Sequence, residues 1–193
     1  MLPLLLGMLL FTGIHLLTTQ VDLRQGLIRR YGGAAYKGFY SLAALAGLVL
    51  IVLGYHKAQL MPGKNPQLWS PPTWGRHATM ALMLPVFPLL LAAYLPGRIT
   101  VAVRHPMLLA VKIWAAAHLL VRGDAASLLL FGGILAWAVI DRISLKQREA
   151  AGLVTIKGGP VLNDVIAVVG GLLLYAVFLK WGHALLVGVR LIP

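Results

Sequence analysis

The chain has 193 residues, of which 60% are hydrophobic and 11% charged, with a mean hydropathy of +0.86. Soluble domains carry roughly a quarter charged residues, so this composition excludes a soluble globular protein. Seventeen Lys/Arg against five Asp/Glu give a net charge of +12. The bases lie between apolar runs, which makes them membrane anchors and orientation signals rather than a nucleic-acid surface. Zero cysteines exclude disulfides, thiolate metal sites and cysteine catalysis.

In chain order, the first predicted span runs from about Leu2 to Thr19, near the ~20 residues a bilayer core requires. It resembles a signal-peptide core, but no basic region precedes it and no small-residue cleavage site follows, so it reads as a retained span. A basic loop follows with Arg24, Arg29, Arg30, Lys37 and a Gly32-Gly33 break. The second span covers about Gly38 to Tyr55 and ends at His56-Lys57. The next connection holds Pro62, Gly63, Pro66, Pro71 and Pro72, with Trp69 and Trp74, and reads as an irregular interfacial loop. The third span begins near Arg76-His77 and ends at Leu95, with Pro85 and Pro88 predicting a kink. The fourth is Pro106 to Val121, proline suiting a helix start. The fifth is Ala125 to Ile140, ended by Asp141-Arg142. The stretch from Val161 to Ile192 is too long for one plain span; Gly170-Gly171, Lys180, Gly182 and His183 within it suggest a span to about Leu179 and an interfacial tail. The expected architecture is an all-α, polytopic bundle of about six transmembrane helices (five to seven), in one domain over 1–193.

Lys and Arg side chains are unevenly shared. Connections one, three and five hold Arg24, Arg29, Arg30, Lys37, Arg98, Arg104, Arg142, Lys146, Arg148 and Lys157, whereas connections two and four hold Lys57, Lys64, Arg76 and Arg122. The positive-inside rule puts the first set in the cytoplasm and both termini outside, in a bacterium the periplasm of the inner membrane.

Six histidines carry the chemistry. No HExxH, paired carboxylate or Walker loop is present. Neutral imidazole suits transition metals and is the common axial ligand of haem iron. His15 and His118 lie inside spans, where an ionisable residue is a functional candidate. His77 follows Arg76 at a span entrance and His105 precedes Pro106; both are secondary candidates. His56 and His183 read as interfacial. His105 and His118 are 13 residues apart, so a helix covering both would place them ~20 Å apart and ~140° around its axis; they do not share a seam. Depth also separates His15, toward the cytoplasm with His105, from His118, toward the periplasm with His77; a His15–His118 pair then needs tilted helices or a haem lying roughly parallel to the membrane, and His15 with His105 and His77 with His118 are the shallower alternatives.

His15, Tyr40-Ser41-Leu42, Gly54-Tyr55, Trp69 with Pro71-Pro72, Arg76-His77, His105-Pro106, Trp114-Ala115, His118-Leu119-Leu120, Gly123-Asp124 and Trp137-Ala138 before Asp141-Arg142 follow one another in order. In this the chain resembles the NnrU family of membrane proteins, which includes the plant-type 15-cis-zeta-carotene isomerase. The resemblance covers nearly the whole chain. It implies a multi-span protein whose NnrU branch is associated with denitrification. The isomerase branch carries a b-type haem and converts a 15-cis double bond of a carotenoid to trans. By resemblance, His15 and His118 match the proposed axial and catalytic ligand positions, and His105 matches another histidine of that site. His77 is expected nearby. A lipophilic small molecule is then the expected substrate. The chain has no plastid-targeting region and looks like the bacterial branch. A non-enzymatic haem redox or sensor protein, and a small transporter lined by the kinked third span and Lys112, are the competing expectations.

Overall fold

The computed structural model of the chain describes residues 1–61 and 63–192; Pro62, read above as one breaker of the second connection, and Pro193 lie outside the described residues. Helix α1 (Leu2–Leu16) passes through a 3-10 turn (Leu17–Thr19) into α2 (Val21–Tyr31). Helix α3 (Gly33–Gln59) and the irregular stretches 60–61 and 63–74 lead to α4 (Gly75–Ala92). The short α5 (Arg98–Val103) precedes α6 (Pro106–Val121), α7 (Ala125–Ala150) and α8 (Val161–Val187). Five of these segments are long and apolar enough to cross a membrane: Leu2–Thr19, α3, α4, α7 and α8. The shorter α6 is a sixth apolar helix. Among the described residues there is no strand, so the all-α reading holds.

The stretch read as a basic loop is helical. Asp22 in its first turn and Arg29 and Arg30 in its last complement the helix dipole. Gly32, at φ 83°, then turns the chain from α2 into α3. The fifth span does not stop at Ile140. Asp141 and Arg142 continue the helix because each meets a partner two turns on: Arg148 to Asp141 at 3.3 Å and Arg142 to Glu149 at 3.4 Å. The last span likewise runs past Leu179 to Val187, where Gly188 ends it in the left-handed conformation.

Packing follows the positions of small residues. A Cβ on Gly54 would lie 2.2 Å from the Leu4 amide nitrogen, and one on Gly7 2.6 Å from that of Ile51. Backbones of α1 and α3 therefore touch directly, as small residues permit inside membranes. Helix α1 also packs on α7, α7 on α6, α6 on α4, and α4 on α8. The expected kink of α4 falls at Pro85: Leu84 donates back to Ala81 in a tight turn, and Gly171 of α8 lies flush against Pro88. One core joins Leu4, Met8, Ile51, Ala58, Ala126 and Ile134; a second joins Val86, Leu89 and Ala110. Trp114 packs against both. Two π-turns, Leu128–Gly132 in α7 and Phe178–Gly182 in α8, interrupt the regular helices; such bulges concentrate at functional sites.

Candidate functional site: two histidine-bearing ends

His15 closes α1 at the end of the bundle that also holds α2 and α5. Its Nδ1–H donates to the Phe11 carbonyl at 2.7 Å. A carbonyl only accepts, so this bond fixes the tautomer and leaves the Nε2 lone pair free, the arrangement seen behind metal-bound imidazoles. The rings of Phe11 (4.2 Å), Tyr40 (5.4 Å) and Trp137 (5.3 Å) surround it.

Charges crowd the same end. Asp141 pairs with Arg148 and has His105 and His15 as further neighbours. His105 Nε2 and Arg104 both reach Glu149, which also pairs with Arg142. Arg104 is the one described non-glycine residue at positive φ (65°), a strained conformation that places His105 at the start of α6. Beside them is a cavity of about 520 Å³ between Pro96, Thr100, His105, Leu108, Trp137 and Lys157. Three buried polar atoms here lack a hydrogen-bond partner: Tyr36 Oη, Trp137 Nε1 and Arg148 Nε. Unsatisfied buried donors are uncommon and call for an explanation such as a ligand or water.

The opposite end is built differently. His118 also donates Nδ1–H to the carbonyl four residues earlier, Trp114 O at 2.8 Å. Its ring stacks on Phe131 of the first π-turn at 4.7 Å, and Trp114 lies 5.2 Å away. Around it the chain is locked. Asp124 caps α7 by accepting from Ser127 N (3.0 Å) and Ser127 Oγ (2.7 Å), and takes further bonds from Gln59 (2.9 Å) and Asn65 (2.8 Å). Tyr55 and Arg122 extend the network to Ser127. Leu68 and Trp69 donate to Gly123 O, and Ala125 donates to Pro66 O. Burial alone would raise the Asp124 carboxyl, but the bonds from Ser127, Asn65 and Gln59 outweigh it and hold it below the usual carboxylate range.

His15 and His118 meet different rings of α7. His15 meets Trp137 and His118 meets Phe131, six residues and ~9 Å of rise apart on α7. His105 falls with His15 beside Asp141. His77 is exposed on the turn of α4 whose Thr79 bonds to Ala117 O (2.8 Å), at the His118 end. His56 is exposed, and His183 donates to Val189 O near the end of α8. The sequence alone assigns Glu149 no role and offers Gly123-Asp124 only as part of a family pattern. Partners from other helices give these residues their roles, and no local signal carries those. Among the described residues no group of three or more His, Asp or Glu forms a site for a bare metal ion. Haem iron asks for only one or two imidazoles. Each of His15 and His118 fits that demand singly, with Nε2 free.

Helices of membrane length, packed through small residues and carrying one intramembrane histidine toward each end, define a multi-pass membrane protein. The chain belongs to the NnrU family: the family model described as NnrU protein matches residues 3–191. No curated protein and no solved structure matches it.

Proposed function

We propose that this NnrU family member is a b-type haem protein of the bacterial inner membrane, in which His15 and His118 would each hold a haem, one toward each end. His105 accompanies the first site and His77 the second. The observation that carries this reading is the shared tether. Each imidazole gives Nδ1–H to the carbonyl four residues earlier and keeps Nε2 free among aromatic rings. Bound haem supplies Lewis-acid or one-electron chemistry. Phe11, Tyr40 and Trp137 keep water from His15 and hold its ring at a fixed angle. The neighbouring cavity, with Leu108, Leu145 and Ile156 in its wall, accepts an apolar chain. A carotenoid-like cis-polyene is the substrate class this suits, and cis-trans isomerisation the reaction.

Purified protein supplied with haem is expected to show a Soret band and a b-type pyridine haemochrome. His15→Ala and His118→Ala are each expected to remove about half of the bound haem by stoichiometry, the arithmetic of one ligand per site. A colourless protein sinks the haem reading. Loss of all haem in either variant sinks the separate sites. Reduced, haem-loaded protein given 15-cis-zeta-carotene tests the reaction: an intact Soret band without isomerisation leaves a redox role in support of denitrification.

A further inference from the structure

Beyond the haem reading, and independent of it, lies a second cavity of about 280 Å³ between the end of α1, α2 and the first turns of α3. Its walls are Thr18, Arg24, Tyr36, Lys37, Tyr40 and Ser41. Two of the six are cations, and three carry hydroxyls besides Tyr36. Arg24 sits 6.0 Å over the Tyr36 ring, which holds its guanidinium toward the same wall. Among the described residues neither Arg24 nor Lys37 has a carboxylate partner, whereas Arg104, Arg122, Arg142 and Arg148 each have one. The Tyr36 hydroxyl is buried without a hydrogen-bond partner. A buried donor, two uncompensated cations and further hydroxyls converging on one cavity match a group with several anionic oxygens.

The surroundings say which group. Leu23 on α2 and Phe39 and Leu42 on α3, the two helices that wall the cavity with the end of α1, are exposed apolar side chains, as on surfaces that meet acyl chains in a bilayer. Its volume is at the low end of ligand pockets, ~300–1,000 Å³, which suits a headgroup but not the chains that follow. The Lys/Arg excess puts this end in the cytoplasm, where basic pockets between membrane helices hold anionic headgroups. We propose that this cavity is a binding site for the phosphate headgroup of an anionic inner-leaflet lipid, with Arg24 and Lys37 as the charge partners and Tyr36 as a hydroxyl donor. An occupant there also rests against Tyr40, whose ring contacts His15, so the lipid would brace that histidine from behind.

The test is lipid retention measured by native mass spectrometry on the full chain, delipidated in detergent and offered phosphatidylglycerol and phosphatidylcholine in equal amounts. Wild type is expected to retain phosphatidylglycerol in preference. Arg24→Gln with Lys37→Gln is expected to lower that preference roughly 25-fold, about fivefold per cation. Arg29→Gln with Arg30→Gln, on the same helix but outside the cavity, should keep it. Tyr36→Phe, which removes only the hydroxyl, should lower it several-fold and serves if the double variant does not fold. Equal retention of the two lipids by wild type, or an equal loss in both arginine-bearing double variants, overturns the site. Displacement of the lipid by millimolar inorganic phosphate would assign the cavity to soluble phosphate and overturn the lipid.

Discussion

The two ends of the bundle differ in how their polar groups are satisfied. At the His118 end, Asp124 takes four hydrogen bonds and the loop before α4 is pinned to Gly123, Ala125 and Ala126 by backbone and side-chain bonds. At the His15 end, three polar atoms are buried without partners and two cavities open between the helices. One end is tied together by its own chain. The other leaves polar atoms unpaired beside open space. A polar network whose members are all paired ties helices together like a latch, whereas a buried polar atom without a partner leaves a bond still to be made.

This contrast is broken most directly at Asp124. Asp124→Ala leaves the donors of Gln59, Asn65 and Ser127 unanswered, and is expected to cost about 3–5 kcal/mol in unfolding measured in detergent. The same carboxylate gives a signed pH dependence. Its folded pKa lies below the unfolded one, about 3.9. Its contribution is therefore complete above that value and is lost as pH falls through the lower folded pKa. An unfolding midpoint that does not drop between pH 5 and 3, or drops equally in Asp124→Asn, would separate the latch from Asp124.

A smaller effect is expected where packing rather than polarity holds the helices. Gly54→Ala drives a methyl into the Leu4 backbone and should destabilise by about 1–3 kcal/mol. Gly13→Ala, with nothing within 4 Å, should be neutral or stabilise by up to about 1 kcal/mol. Equal behaviour of the two in thermal denaturation would show that α1 and α3 are not in backbone contact. The smallest effect belongs to the open end. Tyr36→Phe deletes a hydroxyl with no partner, so lipid-free protein should unfold within about 1 kcal/mol of wild type, on the stable side. A clear loss of stability would mean that the hydroxyl has a partner and that the two ends are alike.

Much of the fold was legible because membrane helices announce themselves by length and hydropathy alone. The Pro85 kink, the start of α6 at Pro106 and the irregular loop before α4 were each readable from local chemistry. Misread boundaries share one cause. Asp141 and Lys180 looked like terminators because charge is costly in lipid, yet Asp141 meets Arg148 two turns on, and Lys180 lies 4.7 Å over the Trp181 ring. The basic loop was a helix because its polarity hid an otherwise unbroken helical stretch.

The histidines divide in the same way. Residue type and burial within spans singled out His15 and His118, since an imidazole in lipid must answer to a bond or a ligand. Composition and pattern also settled the membrane class and the NnrU resemblance, because both rest on properties each segment carries by itself. The neighbours of each histidine were another matter. That His15 meets Trp137 and sits with His105 and Asp141, that His118 meets Phe131, and that Glu149 gathers Arg104, His105 and Arg142 depend on the depth and rotation at which helices cross. Those are fixed by glycine contacts such as Gly54 on Leu4 and Gly171 on Pro88, between residues far apart in the chain. Only packing brings them together.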